Sequence, residues 1–554
     1  MKNFLKGISN HETRSVSIAA LILSVFSFLS FLLGLLRDHL LAGRFGAGNE
    51  LDVYYVAFRV PDFIAMVLMT GAIGVAVIPL FTKSLIKSKE QAFLYLSNLL
   101  NISLAGLIVI CSVLFVFTPQ LLSLIAPGFS VEKREIAILL TRIMFLSPIL
   151  LGISNIISAV LRVFQRFLIT SLAPIFYNLG SIVGIVFFVP KMGIAGLAWG
   201  IVLGAVMHLL VQLPSLFKVG FKLRKVFNFK DQNFIQTIKL TIPRAIGLAA
   251  TQINLVVVTI IGSTLVAGSV TVLSFANDLS LPIIGLVAIP FATAVFPALS
   301  LAYSRGEKKE MVAKFSSVFR QVLFLIIPIS AIAFILRAHL VRIVFGSGKF
   351  DWSATKLTAA CFGIFMIGLF AQGLNYLIVK AFYSIHNTRI PALVSILSVG
   401  TTALFAYVFV GLLSFSNVFS VFVASALKID GMQNLPVVGL PLALSLDVML
   451  QMILLLILLK RKIGDFHSDE ILSSVSKVIG ATFLTLFFTY FIRQISGGFM
   501  GGKTFITILL QAALAGGLGF GFYLFTAHML GSAEVKSLKS FVLARFGLLN
   551  GKKN

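Results

Sequence analysis

Long apolar runs separated by short polar gaps cover almost the whole chain. A helix needs about 20 apolar residues to cross the hydrocarbon core of a bilayer, and most of these runs are long enough. We therefore predict an all-α polytopic membrane protein with about fourteen transmembrane helices. Their approximate cores lie at 16–36, 53–81, 92–118, 136–161, 167–189, 193–216, 234–262, 268–300, 316–336, 355–381, 389–413, 437–459, 473–493 and 504–528.

A long basic gap after the sixth run divides the predicted helices into two sets of six, followed by two extra helices. Internal duplication of this kind is typical of transporters, whose binding site lies near the midplane between the repeats. We therefore predict two pseudo-symmetric six-helix lobes. The predicted segments are an N-terminus at 1–15, a first lobe at 16–217, a basic loop at 218–233, a second lobe at 234–460, the last two helices at 461–530 and a tail at 531–554.

Lysine and arginine are concentrated in every second gap, and the positive-inside rule assigns those gaps to the cytoplasm. With an even number of spans, both termini are then predicted to be cytoplasmic. The long gap at 414–436 becomes an outward loop, for which we expect a short interfacial helix. One outward gap departs from the rule because it is itself basic, with Arg337, Arg342, Lys349 and Lys356.

Composition excludes a soluble globular protein, because 58% of the 554 residues are hydrophobic and only 12% are charged. The formal net charge of +26 first suggests a nucleic-acid partner. The basic residues, however, lie in gaps where they meet lipid head groups, so we expect anionic membrane lipids as partners and no nucleic acid. Cys111 and Cys361 lie in apolar runs without C-x-x-C spacing, which predicts free core residues.

The segment from Leu33 to Thr70 brings charge into the first two predicted helices. A charge in hydrocarbon costs several kcal/mol, so such residues usually face a partner or a watery cavity. The alternative is that they lie at helix ends and reach water. We predict that this hairpin lines a hydrated, partly cationic cavity. The candidate substrate-binding residues on it are Arg37, Asp38, Asp52, Arg59 and Asp62, of which the last two share a helix face.

Three further ionisable residues lie inside apolar runs. Arg244 is a sixth candidate for substrate binding. Asp278 and Asp447 lie deeper in their runs and are candidates for binding the proton or cation that drives transport.

Sequence motifs of enzymes and cofactor sites are missing. The stretch Gly346–Phe350 resembles a phosphate-binding loop, but Ile343 stands where that loop needs glycine and Phe350 where it needs Ser or Thr. The seven histidines are scattered without metal-site or hydrolase spacing. We therefore expect a protein that is not an enzyme and has no catalytic residues, metal or cofactor.

Several short motifs occur in the order known from one family across about residues 16–460. In the first half they are Arg37-Asp38, Phe45-Gly46-Ala47-Gly48 with Asp52, Ala126-Pro127-Gly128-Phe129, Arg166-Phe167, Ala173-Pro174 with Asn178, Leu197-Ala198-Trp199 and Gln212-Leu213-Pro214. In the second half they are Gln252, Gly268-Ser269-Val270, Gly348-Lys349-Phe350 and Phe382-Tyr383-Ser384. On these residues the chain resembles the MurJ/MviN lipid II flippases of bacterial peptidoglycan synthesis, within the multidrug/oligosaccharidyl-lipid/polysaccharide exporter superfamily.

The resemblance implies a multi-pass protein of the bacterial inner membrane that moves lipid II, an undecaprenyl-pyrophosphate-linked disaccharide-pentapeptide, from the cytoplasmic to the outer leaflet. It implies alternating access through a cationic central cavity, in which arginines meet the pyrophosphate because their planar fork donates paired hydrogen bonds. The lipid tail is expected in a groove toward the last two helices, and cell-wall synthesis proteins are possible partners.

The chain departs from the family pattern at four positions. Phe31 stands where the family has arginine, Ala65 where it has a basic residue, Thr70 where it has an acid and Asp278 where it has arginine. Two alternatives therefore stay open. One is an exporter of the same superfamily for another lipid-linked saccharide or a small cationic compound, and the other is a non-transporting scaffold.

Overall fold

The computed structural model describes residues 16–67, 74–501 and 504–535, without the side chains of 16–21, 74, 75, 243 and 244. Regular secondary structure in these ranges is entirely helical, which confirms the all-α class. Thirteen helical segments within them are long and apolar enough to cross a membrane. The remaining predicted span, at 53–81, contains residues 68–73, which lie outside the description.

The described residues form two compact units, and the first comprises those up to Thr271 together with 347–350. Its helices are α1 Val16–Phe45, α2 Asn49–Ile64, α3 Gly74–Lys87, α4 Lys89–Val116, α5 Thr118–Ile125, α6 Val131–Met144, α7 Leu146–Val163, α8 Phe167–Val183, α9 Val189–Met192, α10 Ala195–Leu210, α11 Leu213–Lys218 and α12 Gln232–Ser263. A π-helical turn at Gly184–Phe188 joins α8 to α9.

The second unit comprises the described residues from Val272 to 346 and from Asp351 to 535. Its helices are α13 Ser269–Leu286, whose first three residues belong to the first unit, α14 Ala288–Ser304, α15 Lys308–Ile335, α16 Arg337–Phe345, α17 Trp352–Ser384, α18 Arg389–Ser414, α19 Val418–Leu427, α20 Gly439–Ile463, α21 Ser468–Met500 and α22 Phe505–Met529. Helix α17 is the central helix of this unit and packs on α14, α15, α16 and α20.

The first unit extends beyond the boundary predicted from sequence. The prediction began the second lobe at 234, whereas the compact unit continues to Thr271. The physical reason is that α12 packs against α2, α3, α4 and α5. The basic gap therefore separates two sets of apolar runs in the sequence, but packing keeps the helix that follows it with the first unit.

The structure also bears on three smaller expectations, which concern the cysteines, the gap at 414–436 and the run at 268–300. Cys111 and Cys361 are buried free cysteines. The gap at 414–436 contains the short apolar helix α19, in agreement with the expected helix. The long predicted run at 268–300 is interrupted at Val287, between α13 and α14.

Glycines allow α8 and α10 to pack at backbone distance. A Cβ atom on Gly180 would lie 2.3 Å from the Cα of Gly204, and one on Gly184 would lie 2.4 Å from the Cα of Gly200. These residues form the G-x-x-x-G spacing with which membrane helices associate closely, because small residues let two backbones approach. This signal was present in the sequence and our prediction did not use it.

We expect the substitution Gly204→Val to destabilise the first unit. The added side chain meets the carbonyl oxygen of Tyr177, which a Cβ would approach to 2.4 Å, so the helices must separate. Overpacking of this kind costs about 2 kcal/mol or more. Thermal unfolding of the purified protein in detergent measures the loss.

The matched control is Gly106→Val, because a Cβ atom on Gly106 meets nothing within 4 Å. Equal melting temperatures for the two variants would contradict the assignment of Gly204 to a close helix contact.

Candidate functional site

Four glycine-containing segments that are far apart in sequence meet in the first unit. A Cβ on Gly46 would lie 2.8 Å from the Lys349 carbonyl oxygen, and one on Gly268 would lie 2.4 Å from the Ala47 carbonyl oxygen. Gly46 and Gly268 also have φ angles of 69° and 92°, which favour glycine. We call this contact region the glycine junction; it comprises residues 43–48, Gly128, 263–268 and 347–350.

Backbone contacts hold the other segments of the junction. The amide of Lys349 donates to the Gly43 carbonyl oxygen over 2.8 Å. A Cβ on Gly128 would lie 2.3 Å from the Ser263 carbonyl oxygen. One packing arrangement therefore includes the sequence motifs around Gly46, Gly128 and Gly268. It also includes residues 347–350, from the segment that only superficially resembles a phosphate-binding loop.

Asp52 lies beside this junction and caps the first turn of α13. Its Oδ2 accepts from the Gly268 amide over 2.6 Å, and its Oδ1 accepts from the amide of Thr271 over 2.8 Å and from the Thr271 hydroxyl over 2.7 Å. The first amides of a helix lack partners within the helix, and a carboxylate there also interacts favourably with the helix dipole. These bonds show that Asp52 holds the start of α13 in place. Its role in substrate binding stays a prediction.

Arg37 and Asp38 form an ion pair near the C-terminal end of α1. Nε and a terminal nitrogen of Arg37 both approach Oδ1 of Asp38, at 2.8 and 2.7 Å. The Asp38 side chain is only 4% exposed, and that of Arg37 is 23% exposed. A buried carboxylate of this kind needs a paired charge, and its adjacent arginine supplies it.

Arg59 connects α2 to α12. Its Nε donates to the Thr259 hydroxyl over 3.0 Å. Asp62, one turn further along α2, is partly buried and lies within electrostatic reach of Arg59. The helix face that Arg59 and Asp62 share is therefore directed into the first unit. The two side chains interact electrostatically with each other there.

Two tyrosines that the sequence analysis did not single out, Tyr54 and Tyr177, lie near Arg37, Asp38, Arg59 and Asp62. We call these six residues the charged cluster. Tyr177 of α8 lies within electrostatic reach of Arg37, Asp62 and Tyr54, and its hydroxyl lies close to Ser147. Tyr54 is 5% exposed. Tyrosine is common in membrane helices, so nothing in the sequence spacing distinguishes these two; only helix packing brings them to the charges.

The described cluster is neutral in formal charge, because Arg37 and Arg59 are balanced by Asp38 and Asp62. The sequence predicted a partly cationic lining. Arg244, the third candidate arginine, lies in α12, but its side chain is outside the described residues. Thr70 also lies outside the described residues.

The two candidates for a coupling ion lie in the second unit. Asp447 of α20 is 2% exposed, and its carboxylate accepts hydrogen bonds from the hydroxyls of Ser398 and Thr401 on α18. Asp278 lies in α13 and is partly buried. Asp447 therefore occupies an oxygen-rich niche between two packed helices, a setting in which a carboxylate can hold a proton or a small cation.

Comparison with known families matches the chain to one family over most of its length. The family described as lipid II flippase MurJ matches residues 41–510. A protein named "Probable lipid II flippase MurJ" from Buchnera aphidicola subsp. Schizaphis graminum is 30% identical over 386 residues, covering 69% of this chain and 75% of that relative. "Lipid II flippase MurJ" from Burkholderia cenocepacia is 27% identical over 404 residues, covering 71% and 78%.

Solved structures share the fold. The structure described as "Lipid II flippase MurJ, inward closed conformation" aligns with a TM-score of 0.72 at 22% identity, over 92% of this chain and 98% of that one. An inward-facing multidrug resistance MATE transporter of the MOP superfamily aligns with a TM-score of 0.63 at 15% identity, over 81% and 99%. At these identities the likeness concerns the fold alone.

We expect Asp52→Ala to destabilise the protein, because it leaves the amides of Gly268 and Thr271 buried without their acceptor. Leaving buried donors without acceptors costs about 3 kcal/mol in total. Asp52→Asn keeps one acceptor oxygen and is expected to lose less. Thermal unfolding in detergent orders the variants, with the exposed Asp430→Ala as control. If Asp52→Ala and Asp430→Ala unfold at the same temperature, the capping assignment is wrong.

Proposed function

This chain belongs to the lipid II flippase MurJ family, and we propose that it moves lipid II from the cytoplasmic to the outer leaflet by alternating access. The family match over residues 41–510 carries the proposal. The head group of lipid II is a pyrophosphate-linked disaccharide-pentapeptide, which cannot cross hydrocarbon unaided. A polar path through the protein is therefore required, and charged side chains within the membrane-spanning helices are what such a path needs.

The charged cluster of the first unit supports a role in binding the pyrophosphate. Arg37 and Arg59 carry the planar donors that suit phosphate oxygens. Asp38 holds the Arg37 guanidinium at 2.7–2.8 Å, and Thr259 holds that of Arg59 at 3.0 Å, so both groups are positioned before a ligand arrives. Preorganisation of this kind lowers the entropy cost of binding.

The acids of the cluster compete with a bound pyrophosphate for the two arginines. With Asp38 and Asp62 ionised, the cluster carries no net charge, so a pyrophosphate must compete with carboxylates for the arginines. We infer that substrate binding exchanges these internal pairs for phosphate contacts. Tyr54 and Tyr177 lie beside these charges and are our candidates for contacts with the sugars or the peptide, as amphipathic aromatic residues commonly make in binding sites.

The orientation that we propose places both termini in the cytoplasm and the protein in the bacterial inner membrane, in accordance with the positive-inside rule. The gap between α11 and α12 would then face the cytoplasm. It has exposed Lys222, Lys225 and Lys230 beside exposed Phe227 and Phe229, which suits the anionic surface of a membrane. Cell-wall synthesis proteins remain a predicted class of partner.

Asp447 is our first candidate for coupling transport to a proton or cation. Its hydroxyl partners Ser398 and Thr401 supply oxygen ligands and can also stabilise either protonation state of the carboxyl. Asp278 stays the second candidate. Because α18 and α20 pack along each other, a change in the charge of Asp447 would alter the interaction between these two helices.

We expect Arg37→Ala and Arg59→Ala to reduce lipid II transport at least about tenfold each, since a charge-assisted contact contributes about 1.5–3 kcal/mol. The measurement is the outer-leaflet accessibility of lipid II in cells depleted of their own flippase and supplied with the variant. Arg461→Ala is the control, because Arg461 is an exposed arginine at the end of α20.

Two outcomes have separate meanings. If the wild-type chain does not restore outward movement of lipid II, the proposed function is wrong. If the wild type restores it and both variants do so equally well, the function stands and the assignment of the binding residues is wrong.

We expect Asp447→Asn to slow transport at least about tenfold while leaving the protein folded, because the amide keeps an oxygen acceptor for Ser398 or Thr401 but cannot lose a charge by protonation. Transport into the outer leaflet is measured with and without a protonophore. Asp447→Asn transport that equals wild type under both conditions would contradict a coupling role for this residue. Thr401→Val, which removes one hydroxyl partner and keeps the acid, is the companion variant.

A further inference from the structure

The basic gap between α15 and α17 is explained neither by the positive-inside rule nor by the proposed transport site. It begins with Arg337, whose guanidinium donates to the Phe334 carbonyl oxygen, and Arg493 of α21 donates to the carbonyl oxygen of the next residue, Ile335. Both residues lie in the second unit. Two arginines from distant parts of the chain thus lie together at one end of the last two helices.

The protein holds Arg337 firmly. Its side chain passes over Gly363, where a Cβ would lie 2.9 Å from the Arg337 Cδ. The guanidinium carbon lies 4.7 Å from the centre of the Phe334 ring. Its terminal nitrogens donate to the carbonyl oxygens of Phe334 over 3.0 Å and of Leu427 over 3.3 Å. The group is therefore fixed in position while part of its hydrogen-bonding capacity stays unused.

Arg493 has a similar but looser setting. Its guanidinium carbon lies 4.7 Å from the centre of the Tyr490 ring, and one terminal nitrogen donates to the Ile335 carbonyl oxygen over 3.4 Å. His339 lies close to Arg493 and to Gln511 of α22, which is 8% exposed. The Nδ1 atom of His339 is buried and has no hydrogen-bond partner within the described part of the chain.

No carboxylate balances these charges among the described residues, because neither Arg337 nor Arg493 forms an ion pair there. A guanidinium has five N–H donors, of which the described contacts use two on Arg337 and one on Arg493. Two partly buried like charges repel each other and are costly to desolvate, and an anion between them would offset both effects. The arrangement is therefore suited to an anionic ligand.

The surroundings identify the kind of anion. A cluster of apolar residues lies between α15, α16, α21 and α22, comprising Ile332, Leu336, Leu340, Ile492, Ala515 and Phe520. Along α22, Leu510, Leu514 and Leu518 are 42–50% exposed. A charged end beside a long exposed apolar helix surface matches a lipid, whose phosphate and acyl chains need these two environments side by side.

We propose that Arg337 and Arg493, with His339 and Gln511 beside them, bind the phosphodiester of an anionic glycerophospholipid such as phosphatidylglycerol, with its acyl chains along α21 and α22. Neither arginine is paired with a carboxylate in the described part of the chain, which disfavours a phospholipid with an ammonium head group, because the ammonium would add a third cation without a partner. This proposal does not depend on lipid II transport and can be tested on the purified full-length chain.

The test measures binding of short-chain phosphatidylglycerol to the protein in a neutral detergent, against phosphatidylethanolamine and phosphatidylcholine of the same chain length. We expect wild-type protein to prefer phosphatidylglycerol, and R337Q/R493Q to weaken its binding about tenfold or more, since two charge-assisted contacts are lost. R337K/R493K keeps the positive charges but lacks the planar, paired N–H donors of arginine. Its affinity for phosphatidylglycerol should lie between those of the wild type and R337Q/R493Q. The matched control is K356Q/K428Q, which removes two exposed charges from the same end.

Several results would overturn the proposal. They are equal affinity of the wild type for the three lipids, unchanged phosphatidylglycerol binding in R337Q/R493Q, or an equal loss in K356Q/K428Q. Full competition by inorganic phosphate at the lipid concentration would also overturn it, because a lipid site requires the acyl chains. Should R337Q/R493Q fail to fold, R493Q alone decides the question, since Arg493 contributes only one described backbone hydrogen bond of 3.4 Å.

Discussion

A carboxylate inside a membrane protein must find hydrogen-bond donors or an opposite charge, and this requirement organises the described structure. Asp52 satisfies it by capping α13, Asp38 by pairing with Arg37, and Asp447 by accepting from two hydroxyls of α18. The bonds of Asp52 and Asp447 link segments that the hydrocarbon alone would leave unconnected, because lipid tails provide little drive for helices to associate. The buried acids therefore serve as fixed points for helix placement as well as candidates for chemistry.

The packing of the first unit also depends on glycines at which two backbone segments approach each other closely. Glycines join α8 to α10, and the glycine junction brings together residues near 46, 128, 268 and 348. Four of the motifs that carry the family resemblance, those around Gly46, Gly128, Gly268 and Gly348, supply residues of this junction. These packing residues are separate from Phe31, Ala65 and Asp278, where the resemblance leads us to expect departures from the family pattern. Fold and substrate chemistry are thus constrained by different sets of residues.

The arginines fall into two arrangements with different consequences. Arg37 and Arg59 lie near acids, so their charges are balanced until a ligand competes for them. Arg337 and Arg493 have no acid partner among the described residues, so their repulsion favours an anion at all times. The first arrangement suits a substrate that must be released, because the internal acids can replace it. The second suits a lipid that stays bound, and the two proposals therefore assign the charges of each unit to different tasks.

The sequence by itself determined the all-α membrane class, the position of nearly every span and the family, because these follow from the length of apolar runs and from short local motifs. It also located the charged residues of α1 and α2. Only the tertiary structure decided what those charges contact. Thr259, Tyr177 and Gly268 are distant in sequence from Arg59, Arg37 and Asp52, and hydropathy contains no information on which helices pack together. The same reason explains the placement of α12 with the first unit and the meeting of Arg337 with Arg493. Hydrophobic burial selects which segments enter the membrane, whereas backbone approach and polar pairing select their neighbours.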